Sequence, residues 1–392
     1  MRSLVSVLVL LAACSPGAPP GALPEPVGAQ LVAMPHAETF KVYERDGVRI
    51  VDFNAPVISW GGDAKGANQT ARVVLVPKDV EPPPLTGELE SAVLVRTPVQ
   101  RIAVNYGFLE AIVNELGVAD RLVAVGGVKS YDDDIRERAR KGEIAQIGYG
   151  WHAPPKIDTL VGAEPDVLFM VLGDLGHAEH YARIKGLGVP VVPVFLEAET
   201  GYMGPVDYVR LVGMFTGRED EAEAFAAMVA DNVADWKARA AERPKRQVLS
   251  AWFAGSGRWM VTVRNNENQL IEAAGGVNPM AQSDDTHLDH FVHMGSEQLL
   301  EEARDADCWV IRDSHSQPFE DVAYLRHFKA WREGNLFAAD GSQKSEADAF
   351  AIYDTGPIRP DLKLRNLVKM LHPEIVDEPY VYIRPDTKTP RR

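Results

Sequence analysis

The spacing of apolar positions changes character twice along this chain. From Phe40 to Phe53 and from Ala71 to Pro77 the pattern is β-rich and alternating (Val42, Val48, Ile50, Val51; Val73, Val74, Val76), with Asp46-Gly47 as a turn signal. That pattern predicts an N-terminal β-hairpin region, closed by the breaker Glu81–Pro84. From Val93 onward short β-rich runs alternate with helical periods. Arg101–Val104, Leu122–Val125, Val167–Leu172 and Val189–Phe195 read as strands. Phe108–Leu116, Ile135–Lys141, Ile157–Gly162, Glu179–Gly188 and Asp207–Phe215 read as helices, the last opened by Pro205. Strand then helix, repeated, predicts a parallel sheet covered on both faces.

One long stretch interrupts this grammar. Ala222, Phe225, Val229, Val233 and Trp236 fall three and four apart, which predicts a single helix over Glu219–Glu242. Acids crowd its start and Lys237 and Arg239 its end, as the helix dipole favours. Gly217 and Pro244 punctuate it, and at 1.5 Å per residue it would run roughly 36 Å, the span of a strut between two bodies. After Pro244 the α/β grammar resumes: strands Gln247–Phe253, Trp259–Val263, Cys308–Ile311 and Leu336–Ala339, and helices Asn268–Ala274, Ser296–Ala303, Val322–Glu333 and Lys363–Leu371. The expected fold class is therefore α/β: two α/β lobes with mostly parallel sheets joined by a single long helix, plus the N-terminal β-hairpin region. The expected units are a signal over residues 1–14, a Pro/Gly/Ala-rich tether over 15–35, a β-rich extension over 36–90, an N-terminal lobe over 91–216, the linking helix over 217–244 and a C-terminal lobe over 245–392.

Composition narrows the function. The chain has 392 residues, 46% hydrophobic and 25% charged, enough for two sizeable cores. A formal net charge of −15 argues against a nucleic-acid binder, which needs a basic footprint. Arg2, the apolar run Leu4–Leu11 and then Leu11-Ala12-Ala13-Cys14 read as an export signal. The tetrapeptide resembles a bacterial lipobox, which would leave Cys14 lipidated at the new N-terminus; a plain secretory signal cut near Ala13 or Ala18 is the alternative. Cys308 would then be a lone buried thiol, with no disulfide framework. No later run of 18 apolar residues occurs, so the mature body is expected to be soluble and held at the membrane by lipid alone.

Several segments, in order, resemble a family. Arg101-Ile102-Ala103-Val104 with Leu116-Gly117-Val118-Ala119-Asp120-Arg121-Leu122-Val123-Ala124-Val125 is similar to its opening strand and following turn. Gly148, Ile157-Asp158-Thr159-Leu160 and Glu164-Pro165-Asp166-Val167-Leu168 resemble its next stretch, and Gly217-Arg218-Glu219 the start of its linking helix. Leu270-Ile271-Glu272-Ala273-Ala274-Gly275-Gly276-Val277-Asn278 and Ser296-Glu297-Gln298-Leu299-Leu300 resemble two later motifs. The family is the solute-binding proteins of bacterial ATP-driven (ABC) importers, in the long-helix class that takes ferric siderophores, haem and cobalamin. The resemblance runs from about Val93 to Pro373. It implies two rigid lobes that close slightly on a ligand, an ABC permease as partner, and docking through glutamates, by position Glu110 or Glu115 and Glu301 or Glu302. The chain departs from the pattern in its N-terminal hairpin region and in Gln343–Pro360.

Ligands in parallel α/β sheets gather beyond the C-terminal strand ends. Those loops nominate Trp151, His152, Asp174, Trp252, Arg264, Arg312 and His315 as ligand-binding residues, and Trp259, at the start of a strand, joins them as a further flat apolar face. The tryptophans offer flat faces to a macrocycle or catecholate, or else serve as core. The arginines could pair with ligand carboxylates or a chelate's negative charge. His177, His287, His290 and His293 are candidate metal ligands. The last three repeat a spacing of three, which on a helix shares a face but in a strand separates the rings. No dinucleotide fingerprint, Walker loop or Gly-x-Ser-x-Gly elbow occurs. The expectation is a monomeric, non-enzymatic binder of an iron or cobalt chelate, with no cofactor of its own. The alternatives are a transition-metal-ion receptor built on the histidines and a metal-dependent enzyme on the same fold.

Overall fold

The computed structural model describes residues 23–59, 68–148, 155–263, 266–281, 290–313 and 316–389. The β-rich N-terminal stretch forms a five-stranded sheet, β1 (Gln30–Val32), β2 (Phe40–Arg45), β3 (Val48–Ala55), β4 (Gln69–Pro77) and β5 (Val93–Thr97), in that order. Its first four strands pair antiparallel, and β5 joins β4 in parallel. Two boundaries therefore differ from the sequence reading. Gln30–Val32, within the stretch read as tether, is a paired strand, and Val93–Thr97, where the helical grammar begins, completes this sheet. A buried cross-strand pair fixes its register: Arg72 Nε and Nη2 donate to the two Asp52 oxygens, both at 2.6 Å. The same guanidinium donates to the carbonyls of Pro24 and Glu88, at 2.6 and 3.0 Å. The sheet is no separate module. Phe40, Val42, Val51, Phe53, Val73 and Leu75 share one core with the lobe that follows, while Tyr43, Ile50, Val74 and Val76 cover the other face with Leu89.

The N-terminal lobe alternates β6 (Ile102–Val104), α1 (Gly107–Glu115), β7 (Leu122–Val125), α2 (Asp133–Lys141), β8 (Ala145–Gln146), α3 (Ile157–Gly162), β9 (Val167–Val171), α4 (Leu175–Gly186) and β10 (Val191–Val194). Its sheet, ordered β10-β9-β6-β7-β8, is parallel throughout. The continuous apolar runs become strands buried on both faces, as a helix-covered sheet requires. Helix α5 (Gly204–Thr216) ends on left-handed Gly217 and leads into α6 (Glu219–Ala241).

Helix α6 has 23 residues, about 35 Å by its rise. It buries Ala222, Phe225, Ala226, Val229, Val233, Trp236 and Ala240, the stripe its sequence shows. Arg210 of α5 clasps Glu223 at 2.7 Å, and Asn232 donates to Asp361 in the C-terminal lobe at 3.0 Å.

The C-terminal lobe holds β11 (Arg246–Gly255), β12 (Arg258–Thr262), α7 (Asn266–Ala273), β13 (Gly276–Val277), β14 (Phe291–Gly295), α8 (Ser296–Ala303), β15 (Cys308–Arg312), α9 (Val322–Leu325), α10 (Lys329–Arg332) and β16 (Leu336–Ala338). It continues with β17 (Gln343–Lys344), β18 (Ala349–Phe350), α11 (Ala351–Asp354), α12 (Pro360–Leu371) and β19 (Arg384–Pro385). The sheet is mixed, ordered β14-β12-β11-β15-β16-β19 with β13 beside β11. The single helix expected over Val322–Glu333 is two short ones. Phe328, between them, takes an extended conformation and buries its ring against Trp309 and Tyr324, at 4.5 and 5.2 Å between centroids. Core packing there overrides helix continuity. Among the described residues, no helix is long and apolar enough to cross a membrane.

Helices α5 and α6 meet where Gly213 has no side chain: a Cβ there would stand 2.7 Å from Ala222 Cβ and 3.0 Å from the Arg218 carbonyl. Gly213→Val should therefore cost about 1–3 kcal/mol in urea unfolding. Gly186→Ala, in open space on α4, should leave stability unchanged or raise it by up to about 1 kcal/mol. Equal effects of the two substitutions would contradict this packing.

Candidate ligand-binding cleft

A cavity of about 530 Å³ lies between the lobes. The N-terminal lobe supplies Tyr106, just past β6, and the loop Leu196–Tyr202 after β10. These are C-terminal strand ends, where parallel sheets gather ligands. The C-terminal lobe supplies the first turn of α7, His290 and Phe291 at the entry to β14, and residues of α11 and α12. The N-terminal sheet also reaches in: Ile58, beyond β3, lines the cavity.

The loop after β10 is held from behind by the segment entering β2. The backbone N–H groups of His36 and Ala37 donate to buried Asp207 at 2.6 and 2.8 Å, and those of Glu38 and Thr39 to Glu199 at 2.9 and 3.2 Å. The Thr39 hydroxyl adds a third donor to Glu199 at 2.5 Å and stands 2.7 Å from the Tyr208 hydroxyl. Burial pushes Glu199 up to about 7, against the pull of these donors.

Two further acids, Glu197 and Glu267, and a lysine, Lys363, mark the cavity lining. Burial raises Glu197 to about 7 and also raises Glu267, while it lowers Lys363; the attraction of Lys363 for both acids opposes these shifts. Tyr353, also in the lining, donates to Asp313 at 3.3 Å.

The segment from β17 to α11 closes one side of the cleft as a clasp across the lobes. Lys344 pairs with Asp133 at 2.8 Å and sits 4.5 Å over the Tyr131 ring; Lys129 pairs with Asp348 at 2.9 Å, and Arg136 reaches Glu346 at 3.5 Å. Exposed pairs of this kind contribute little singly. Beneath them Glu110 of α1 faces Asp354 of α11, both under 4% exposed. A Cβ on Gly107 would fall on the Asp354 carboxylate, so the lobes touch closely here. Glu110 Oε2 and Asp354 Oδ1 have no hydrogen-bond partner among the described residues.

The residues nominated from sequence scatter. Trp151, His152, Arg264, His287, His315 and Cys14 lie outside the described residues. Trp252 packs edge-on behind the cavity wall, 5.1 Å from the ring of Phe291. Trp259 is fully buried in the C-terminal core, its indole N–H donating to Ser296 at 3.0 Å. Arg312 turns to the chain end, donating to Thr389 at 3.2 Å and lying 3.6 Å from Asp386. Asp174 caps α4 by accepting from the His177 N–H at 2.7 Å, and buried His177 accepts from Gly173 N–H through Nδ1 at 3.1 Å. His290 lines the cleft, whereas His293 lies in strand β14, is exposed and lines a separate shallow depression. The strand separates the two rings that a helix would have aligned. Among the described residues no group of three or more His, Cys, Asp or Glu is placed to hold a metal ion. Glu110, named for permease docking, is buried at the clasp and cannot be a surface contact, while Glu115, Glu301 and Glu302 are exposed. Sequence reasoning missed Glu197, Glu267 and Lys363. The first could have been found by applying the strand-end rule to Val189–Phe195.

Residues 102–342 match the family model described as periplasmic binding protein, more than half of the chain. The chain belongs to the periplasmic binding protein family. An uncharacterized lipoprotein of Methanocaldococcus jannaschii is 25% identical to this family member over 291 residues, 72% of this chain and 67% of that protein. A periplasmic heme binding protein from Pseudomonas aeruginosa superposes with a TM-score of 0.53 at 20% identity, covering 74% of this chain and 99% of that one. The siderophore binding protein BauB, bound to a complex of two acinetobactin molecules and ferric iron, gives 0.53 at 19% identity over 71% and 94%. At such identities the likeness speaks for the two-lobed fold. In this periplasmic binding protein the sheet β1–β5 lies ahead of the matched stretch, and the clasp begins at Gln343, just beyond it.

Glu110 sets a pH dependence. Burial, with Asp354 and Asp132 nearby, lifts it from 4.5 to about 8 against a hydrogen bond from Ser130. The folded chain then keeps a proton that the unfolded chain loses, so stability is fullest below about pH 4.5 and declines as pH rises toward 8. Glu110→Gln should unfold like the parent at pH 4.5 and be more stable at pH 8 by on the order of a few kcal/mol, in urea midpoints. The same difference at both pH values would contradict the assignment.

Proposed function

We propose that this protein captures a metal chelate of the iron-siderophore, haem or cobalamin type outside the cytoplasm and delivers it to an ABC permease. It acts as a receptor and performs no chemistry on its cargo. The observation that carries this reading is the cavity of about 530 Å³ lined from both lobes of a chain whose halves are joined by one long helix. That volume suits a compact organic ligand. Tyr106, Tyr202, Phe291 and Tyr353 offer aromatic faces beside a few charged groups, the mix that orients a large amphipathic ligand. The bound metal, iron or cobalt, comes with the cargo. Exposed Glu115 on one lobe and Glu301 or Glu302 on the other remain the candidates for permease docking. Lipidation of Cys14 would hold the protein at the membrane.

The test is a thermal-shift screen of the mature chain against haem, cobalamin, ferric hydroxamates, a ferric catecholate and bare metal ions. A cargo present at about a hundredfold excess over its Kd stabilises the folded state by roughly 2.7 kcal/mol, a shift of several degrees. The expected result is a shift with one class of chelate. A shift with bare metal alone would overturn the chelate reading, as would turnover of any ligand. The anchor is tested separately: in a bacterial host the parent chain should incorporate labelled palmitate and Cys14→Ser should not.

A further inference from the structure

Among the described residues, two charged side chains line the cavity without a direct partner. Glu197 lies on the N-terminal lobe in the turn after β10, and Lys363 on the C-terminal lobe in the first turn of α12. With the described residues each interacts through space alone, with no hydrogen bond and no close ion pair. The cavity's other acids differ. Glu199 is filled by the donors of Glu38 and Thr39, and Glu267 has partners of its own. Both side chains are half-buried, and withdrawing a carboxylate or an ammonium from water without a partner disfavours its charged form. Local packing does not demand either charge, since their chain neighbours Leu196, Ala198 and Leu364 are buried apolar residues. Charges that no described residue pairs, kept in a ligand-sized cavity with one on each wall, are poised for complementary groups on a ligand.

We propose that the ligand spans the cleft through two polar ends, a cationic group on Glu197 and an anionic or carbonyl acceptor on Lys363. Resting on the chelate reading above, this makes the cargo a metal chelate with a free ammonium or comparable cation, and disfavours a uniformly anionic catecholate. Burial opposes the charged form of both side chains, and ligand charges of the right sign restore it. Because the groups sit on different lobes, such a ligand also bolts the cleft closed.

The test uses a matched pair of ferric trihydroxamates: ferrioxamine B, which carries a terminal ammonium, and its N-acetyl derivative, which does not. Affinities are read by quenching of tryptophan fluorescence. The parent chain should prefer the ammonium form by roughly tenfold or more, the size of a charge-assisted hydrogen bond. Glu197→Gln should bring the ratio to within about twofold by weakening only the ammonium form, and Lys363→Met should weaken both forms alike. The acetylated chelate doubles as the fold control, since its unchanged affinity for Glu197→Gln shows an intact cleft. A ratio near one in the parent chain, or a ratio unchanged in Glu197→Gln, overturns the inference. If neither form binds but a chelate lacking any cationic group does, the inference falls and the receptor reading stands. If the chelate that binds carries a cation, Glu197→Gln must weaken it by the same factor. Binding of no chelate of any class overturns both.

Discussion

The arrangement depends on one rigid contact, the packing of α6 against α5 on one side and α12 on the other. A lone helix of about 35 Å has little reason to stay straight or fixed in direction. This one is seated along a buried stripe from Ala222 to Ala240 and tied to both lobes through Glu223 and Asn232. Glu197 and Lys363 stand on separate lobes, so the gap between them is set by the helix and by the clasp opposite it.

Both segments outside the family's matched stretch bear on the cleft. The N-terminal sheet contributes Ile58 to the lining, and the segment entering β2 holds the loop after β10 through Glu199 and helix α5 through Asp207. The clasp from β17 to α11 contributes Ile352 and Tyr353 and joins the lobes through ion pairs over a buried pair of acids. A shared fold does not fix what a cleft holds, and these two segments bring residues of their own to this one. The clasp also links the cleft to pH, because ionising Glu110 and Asp354 together would set like charges facing each other where the lobes touch.

Much of the fold was legible because it rests on periodicity. The linking helix ends one residue from its sequence-read limit, and Ile157–Gly162 and Ser296–Ala303 match theirs. Where tertiary packing decides, the pattern failed: Phe328 leaves the helical path to fill the core beside Trp309. The site was far less legible. Trp259 was nominated by chemical type and Arg312 by its place at a strand end, yet Trp259 is core and Arg312 is drawn to Asp386, because neither type nor loop position carries information about side-chain direction. Histidines at a spacing of three promised a shared face only if helical, and β14 is a strand. Glu110 looked like a surface acid, and its burial arises from a clasp more than 200 residues away in sequence, a contact no local pattern encodes.

The central claim, that the cleft holds one metal chelate, is tested most directly by native mass spectrometry. The mature chain would be mixed with an equimolar pool of haem, cobalamin, a ferric trihydroxamate and a ferric catecholate. The account predicts one non-covalent complex of one protein with one intact chelate, its metal included in the mass. Unliganded protein alone, an adduct of bare metal, or release of a chemically altered ligand would contradict it.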